Sequence, residues 1–309
     1  MIGIEKNHII SAFNSHYLYL LKKQMKSNAY LNNKVVNNFK DVKYTSLILP
    51  ISILAFIFFY FLLNHSGNSY RATYINAQEN LFYYLNNNLS QLPDLQLNIT
   101  QLGDVLVFLS FVSIFIIYAP KLWESLLASS LISLVISFIL KNFFDMPRPV
   151  KRLDLDQIVI VGERHSGYSS LPSGHSITIF VVFTILLFAF MPQKKTFKIS
   201  WSLLIILLGL FIAFSRVAIG AHYPIDVIVG SIIGFSSSVL GIKLCNKKNW
   251  FSWINNKKVY PLLIAFFPIW MFIIAQKAYK NNLIIFYFSI ISLVITLYLL
   301  TKPYVKKRN

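Results

Sequence analysis

The chain has 309 residues, of which 56% are hydrophobic, 16% aromatic and only 13% charged, against about a quarter charged in a soluble domain. That balance excludes an ordinary water-soluble globule and reads as a membrane protein. The net charge of +18 would suit a nucleic-acid binder only as a basic stripe on a folded soluble surface; here the lysines fall in short clusters between long apolar runs, the pattern of charge asymmetry across a bilayer.

The first 43 residues are mixed polar and lysine-bearing rather than a short charged stub followed by an apolar core, so no secretory signal peptide is expected. Within them, HIISAFNSHYLYLLKKQMK at 8–26 places Ile9, Ile10, Phe13, Tyr17, Leu20 and Leu21 at helical spacing beside Lys22, Lys23 and Lys26. A helix lying on the inner membrane surface is expected there. A bilayer core of about 30 Å takes roughly 20 apolar residues in a helix. Eight runs are read as spans: 44–63, 104–119, 122–140, 175–191, 199–219, 224–243, 260–275 and 283–300. The second and seventh are the shortest. Residues 64–103 read as an outer loop of turn and amide residues, with NAQENLFYYLNNNL expected to form a short helix resting on the bilayer. No internal repeat or second soluble domain is evident. The single cysteine, Cys245, excludes an internal disulfide, and its neighbours Lys243, Lys247 and Lys248 put it on the reducing side.

Sidedness follows from the cations. With the N-terminus inside, Lys and Arg number 7 in residues 1–43, 1 at Lys121, 3 in 192–198, 5 in 243–259 and 4 after 301, leaving 9 of 29 outside. The positive-inside rule then orients both termini to the cytoplasm. In that orientation the third span runs outward to Lys141, the fourth starts outside after LPSGHS (171–176), the fifth runs outward to Ser215 and Arg216, and the sixth starts outside with His222 and Asp226. Three separated polar clusters reach one membrane surface, which a count of lysines does not by itself require.

Each cluster has a chemistry. In KNFFDMPRP (141–149), Lys141 offers a compact charge and Arg148 a planar fork of donors, a combination suited to phosphate; for that pair alone, snorkelling to lipid headgroups is the commoner role. In PSGH (172–175), Ser173 is a helix N-cap and Gly174 lets a ligand approach the backbone, so the free amides and dipole make an anion site, although a plain capped helix start would look the same. In SRVAIGAHYPID (215–226), His222 and Asp226 stand four apart at a helix start, so the carboxylate can fix one imidazole nitrogen and aim the other. With no serine or cysteine between them, the imidazole is itself a candidate nucleophile. A structural His–Asp pair is the ordinary alternative, but ionisable groups at a membrane edge are costly and favour a functional role.

In order, Lys-x6-Arg-Pro, Pro-Ser-Gly-His and Ser-Arg-x5-His-x3-Asp closely resemble the three motifs of the type 2 phosphatidic acid phosphatase superfamily, with no departure at a defining position. The resemblance covers about 104–243. It implies an all-α, polytopic membrane helix bundle: a six-helix core at 44–243 after the N-terminal arm 1–43, with two additional C-terminal spans and a cytoplasmic tail in 244–309 that nothing in the resemblance explains. It implies that His222 attacks phosphorus to form a phosphohistidine, that Asp226 orients it, and that His175 protonates the leaving oxygen and then helps activate water. Lys141, Arg148, Arg216, Ser173 and the Gly174 amide would hold the phosphate oxygens. No metal or cofactor is implied, and the chain offers no acidic cluster or Cys/His spacing for one.

The reading is therefore a lipid phosphatase at the outer, periplasmic face of a bacterial cytoplasmic membrane, its partners being a membrane lipid phosphate and the phospholipid bilayer, with no nucleic acid and no protein partner inferable. Lipid A, undecaprenyl pyrophosphate, phosphatidylglycerol phosphate and phosphatidic acid are the candidate substrates. Lys151, Arg152, Arg164 and His165 could grip a larger polyanionic headgroup, which tilts the choice toward lipid A; ordinary solvated loop charge is the alternative. A lipid phosphotransferase would use the same residues. The soluble vanadate haloperoxidases that share the motifs do not fit eight spans. A transporter or channel would need polar residues at mid-span, and here they cluster at one end.

Overall fold

The computed structural model describes residues 30–64, 69–248 and 251–305, and within them every regular element is helical. The surface helix expected at 8–26 lies outside the described residues. After a helical stretch at 30–40, the chain forms α1 (Ile48–Leu63, led in by a 3-10 turn at Tyr44–Leu47), α2 (Tyr70–Asn76), α3 (Glu79–Leu89), α4 (Pro93–Thr100), α5 (Val105–Val112) and α6 (Phe115–Tyr118). Then follow α7 (Pro120–Phe144), α8 (Gly174–Ala189), α9 (Lys195–Ala218), α10 (Pro224–Lys247), α11 (Tyr260–Asn281) and α12 (Ile284–Val305).

Six of these helical runs are long and apolar enough to cross a membrane: Tyr44–Leu63, Pro120–Lys151, Lys195–Ala218, Pro224–Lys247, Tyr260–Asn281 and Ile284–Lys302. Their outward faces carry large bare apolar side chains such as Leu49, Phe56, Phe138, Leu207, Phe211, Phe272 and Tyr298. Bare apolar faces on helices of membrane-spanning length mark the chain as a membrane protein. The central helix is α10, 67% buried over its apolar window where the other five are 11–28% buried. It packs along α7 and α8, and glycines set the spacing. A Cβ at Gly230 would stand 2.6 Å from the Ser173 carbonyl oxygen and one at Gly234 2.5 Å from that of Ile177, so only glycine lets the two backbones approach this closely.

Two of the expected spans differ from a straight membrane-crossing helix. The run at 104–119 is interrupted: Asp104 starts α5 by accepting the Leu106 and Val107 amides at 3.0 and 3.2 Å, and Pro93–Gly103 meets Val105–Val112 at a bend of 77°. The run breaks again at Ser113–Ile114. Pro120 then opens α7 at its first turn, where a missing N–H costs nothing. Apolar content alone does not reveal these breaks, because a capped restart inside a hydrophobic run leaves mean hydropathy unchanged. The run at 175–191 appears as α8, an apolar helix of only 16 residues.

The C-terminal pair α11 and α12 is a hairpin that turns at Asn282, a left-handed residue with φ 46°, as helix C-caps often are. It is fixed to α5 and its flanks. Trp270 Nε1 donates to the Leu106 carbonyl at 3.0 Å, Ser292 to that of Ser110 at 2.8 Å, Ser113 and Thr296 share a hydrogen bond of 2.7 Å, and Lys277 pairs with Asp104.

Candidate active site

α7 ends in a left-handed cap at Asp145 (φ 43°), whose N–H returns to the Lys141 carbonyl. Arg71 holds the Asp145 carboxylate at 2.9 Å. The chain then turns through Met146–Pro149. The Arg148 N–H donates to the Gly167 carbonyl at 2.9 Å and the Ser170 N–H to that of Met146 at 3.0 Å, which closes the loop on itself. Arg148 Nη1 reaches the Ala221 carbonyl at 3.3 Å. Lys141 Nζ lies 3.6 Å from where a Gly174 Cβ would stand, so the ammonium rests against the N-terminus of α8. There Ser173 Oγ accepts from the Ser176 amide at 3.4 Å and the Ser176 hydroxyl at 2.9 Å. This is the N-cap expected of the residue, and the remaining first-turn amides face outward with the positive end of the helix dipole. The Ser173 N–H donates to the Asp226 carbonyl at 3.1 Å, which ties the start of α8 to that of α10.

Arg216, at the end of α9, is 3% exposed. Its Nη1 donates to Thr100 Oγ1 at 3.0 Å, while its buried Nε has no hydrogen-bond partner among the described residues, leaving donor capacity for an anion. The chain leaves α9 through Gly220 (φ 76°), where a Cβ would meet the Val159 carbonyl oxygen at 3.0 Å. The amides of Ala221 and His222 both return to the Arg216 carbonyl, at 3.0 and 3.2 Å. This turn delivers His222, 2% exposed, with Nδ1 3.4 Å from Asp226 Oδ2. The contact is long, of the kind that tightens when the imidazole gains charge.

The carboxylate of Asp226 is fully buried and fully subscribed. Oδ1 accepts the Tyr74 hydroxyl at 2.7 Å; Oδ2 accepts the Ser170 hydroxyl at 2.6 Å and the Tyr223 N–H at 2.9 Å besides facing His222. With its lone pairs so occupied it cannot swing away from the imidazole. Burial, then the charges of Arg148, Arg216 and Lys141, hold the His222 pKa well below that of an ordinary histidine, against a hydrogen bond with the Ser170 backbone. The ring is therefore neutral near neutral pH, and donation from Nδ1 to Asp226 would leave the Nε2 lone pair free.

His175 is half-buried and lines two cavities. One, of about 500 Å³, also takes in Arg216, His165 and residues of α11 and α12. The other, of about 330 Å³, runs between α5, α7 and α8 to Lys141 and Gly174. Gly103, at the α4–α5 bend, presses on the histidine so closely that a Cβ there would overlap its Cβ, Cγ and Cδ2. Of the four headgroup candidates, His165 sits at this site, its pKa pushed down to about 4 by burial and by Arg216 and Arg148. Lys151, Arg152 and Arg164 are exposed on the loop, Lys151 with its ammonium 4.8 Å from the Tyr168 ring centroid. Among the described residues no group of three or more His, Cys, Asp or Glu side chains is placed to hold a metal ion.

Several residues at the site have no motif to announce them. Gln78 Oε1 accepts the Ile225 amide at 3.0 Å. Asn86 donates to the Val159, Val217 and Ala218 carbonyls at 3.0 Å each and accepts the Val159 amide at 2.8 Å. The helix expected to rest on the bilayer at 76–89 is thus present as α3 but is bonded into the protein. Gln78 and Asn86 are spent on backbone groups that carry the site, while Asn80, Asn87 and Asn88 are exposed. Tyr74, Ser170, Thr100 and Gly103 likewise gain their significance only from tertiary placement.

Residues 122–250 match the family model of the PAP2 superfamily. Undecaprenyl-diphosphatase BcrC of Bacillus subtilis is 32% identical over 106 residues, 33% of this chain and 49% of that protein. Lipid A 1-phosphatase of Rhizobium johnstonii is 36% identical over 76 residues, 25% of this chain and 28% of that protein, and that of Rhizobium etli 34% identical over 76 residues, 25% of this chain and 29% of that protein. The crystal structure of Aquifex aeolicus LpxE is 25% identical with a TM-score of 0.46, covering 54% of this chain and 95% of that one. The chain spans about half or less of the length of the curated relatives it matches, and α1–α6, α11 and α12 lie outside the family match.

Proposed function

We propose, from the premise that residues 122–250 are a PAP2 superfamily domain, that the protein is an integral membrane lipid phosphatase. It acts through a phosphohistidine at the periplasmic face of a bacterial cytoplasmic membrane, with both termini inside. The observation that carries this reading is the neutral, carboxylate-held His222 surrounded by Arg148, Arg216 and Lys141: a nucleophile inside a cradle for a dianion. The names of the relatives, two for lipid A 1-phosphate and one for undecaprenyl diphosphate, support a lipid phosphate as substrate.

Lys141, Arg148 and Arg216 bind the phosphate oxygens together with Ser173 and the Gly174 amide, and this charge compensation is what phosphoryl transfer chiefly demands. His222 Nε2 attacks phosphorus in line with the leaving oxygen. The P–O bond breaks with its electron pair going to that oxygen, which takes a proton from His175. Asp226 stabilises the charge that develops on the imidazole. A water molecule that gives its proton to His175 then attacks phosphorus, the N–P bond breaks, and inorganic phosphate leaves with His222 restored. The three cations supply the stabilisation that a metal gives elsewhere, so chelators leave the rate unchanged.

His222→Ala, inserted and folded, loses phosphate release from a panel of lipid phosphates by at least about a thousandfold. Retention of more than a few per cent of the activity would remove His222 from the nucleophile's role. Product analysis with an added acceptor lipid separates hydrolysis from transfer, because only a transferase forms a new phosphorylated lipid.

A further inference from the structure

The leaving group of the proposed reaction stays bonded to the oxygen that His175 protonates, so it must occupy one of the two cavities that His175 lines. The 330 Å³ cavity is the smaller, and sets aliphatic side chains of α5, α7 and α8 beside Asp104, Lys141, Ser130, Ser133 and Ser137. The 500 Å³ cavity is mixed: Gln101, Gln276 and Asn281 present amides beside the apolar faces of Leu97, Ile273 and Phe286. Its size is that of a site enclosing a drug-sized ligand.

Gln276, Lys277, Lys280 and Asn281 on the wall of this cavity come from the C-terminal hairpin, which the family match leaves out. The two cations at its mouth are already compensated, Lys277 by Asp104 and Lys280 by Glu163 at 2.6 Å. Apart from Arg216 at the floor, the wall is therefore close to neutral. A wall of this kind matches a sugar ring, which shows hydrogen-bonding edges and apolar faces. It gives less to a leaving group that is itself an anion, such as the monophosphate released from a diphosphate, and little to the small glycerol hydroxyl of a diacylglycerol.

We infer that α11 and α12, with the α4–α5 bend, form a leaving-group subsite for the hydroxyl-rich head of a phosphorylated glycolipid. The inference rests on the phosphatase reading above and adds a role for the hairpin within it. The hairpin is well enough fastened to serve: hydrogen bonds from Trp270 and Ser292 to α5 backbone carbonyls and one from the Ile285 amide to Asn98 Oδ1 at 3.2 Å hold it to the helices that press on His175.

The test is the ratio of kcat/KM for a lipid A monophosphate to that for phosphatidic acid, in mixed detergent micelles. Gln276→Leu removes an amide from the wall, and Lys280→Gln, at an exposed ion pair, alters the mouth without threatening the fold. The ratio is expected to fall about tenfold or more in Gln276→Leu and in the same direction in Lys280→Gln. A ratio within about twofold of the parent in both variants, with the parent active, overturns the subsite and leaves the phosphatase reading standing. A parent that releases phosphate from neither lipid but does so from undecaprenyl diphosphate overturns the subsite and leaves the phosphatase reading standing; release from none of the three refutes both.

Discussion

Tyr74 donates to Asp226 from 152 positions earlier in the chain, at 2.7 Å and with no solvent exposure. Burial, then the charge of Asp226, raise its hydroxyl pKa well above the ordinary tyrosine value, so it remains a donor at any working pH. A hydrogen bond to a buried charged group contributes about 1.5–3 kcal/mol. Tyr74→Phe keeps the ring contacts with Phe61 and Tyr223 and loses only the donor. Formation of the phosphoenzyme, followed in a single turnover, is expected to slow about ten- to a hundredfold with KM little changed, and an unaltered rate would show that Ser170, Tyr223 and His222 suffice to hold the carboxylate. The motif residues Lys141, Arg148, His175, Arg216, His222 and Asp226 were legible because each is a charged or imidazole group set beside a long apolar run. Tyr74 was not, since an aromatic residue among amides carries no local mark of its partner, and the partner is fixed only when α2 folds over the start of α10.

At the scale of elements, the site depends on how closely α8 and α10 approach. α8 carries Ser173–His175 at its first turn and α10 carries Asp226 at its own, so any widening between them would separate the proposed phosphate cradle from the residue proposed to aim the nucleophile. Gly234→Ala would place a methyl 2.5 Å from the Ile177 carbonyl oxygen, a backbone atom that cannot turn aside. Overpacking of this kind costs about 1–3 kcal/mol. The melting temperature in detergent is expected to fall together with activity; an unchanged melting temperature would mean that the helices absorb the methyl without moving. The long helices α1, α7, α9, α10, α11 and α12 follow from runs of apolar residues of membrane-spanning length. The bend at Gly103–Asp104 could not be read the same way, because an aspartate inside an apolar run looks like a span boundary. Here it is an N-cap that restarts the helix at 77° and sets Gly103 against His175.

For the whole molecule, the proposed orientation puts the loop at 145–173 outside and the α8–α9 turn inside. Cys245 is the single cysteine and is buried, so introduced cysteines report cleanly. Ser166→Cys should react with an impermeant maleimide on intact spheroplasts and Lys194→Cys only after permeabilisation, both sites being exposed; the reverse pattern would invert the topology. Depth also follows from the fold. With 16 residues, α8 measures about 24 Å, short of the roughly 30 Å of hydrocarbon in a bilayer. At its far end Asn38 binds the Ala189 and Met191 carbonyls, at 2.9 and 3.2 Å, which moors that end to the N-terminal segment. A helix too short for the membrane draws the bilayer thinner around it, so in the proposed orientation the neighbouring headgroups would be pulled inward beside the proposed phosphate cradle. A lipid substrate of the proposed reaction would then meet the site from a locally thinned bilayer, with its chains still among their neighbours.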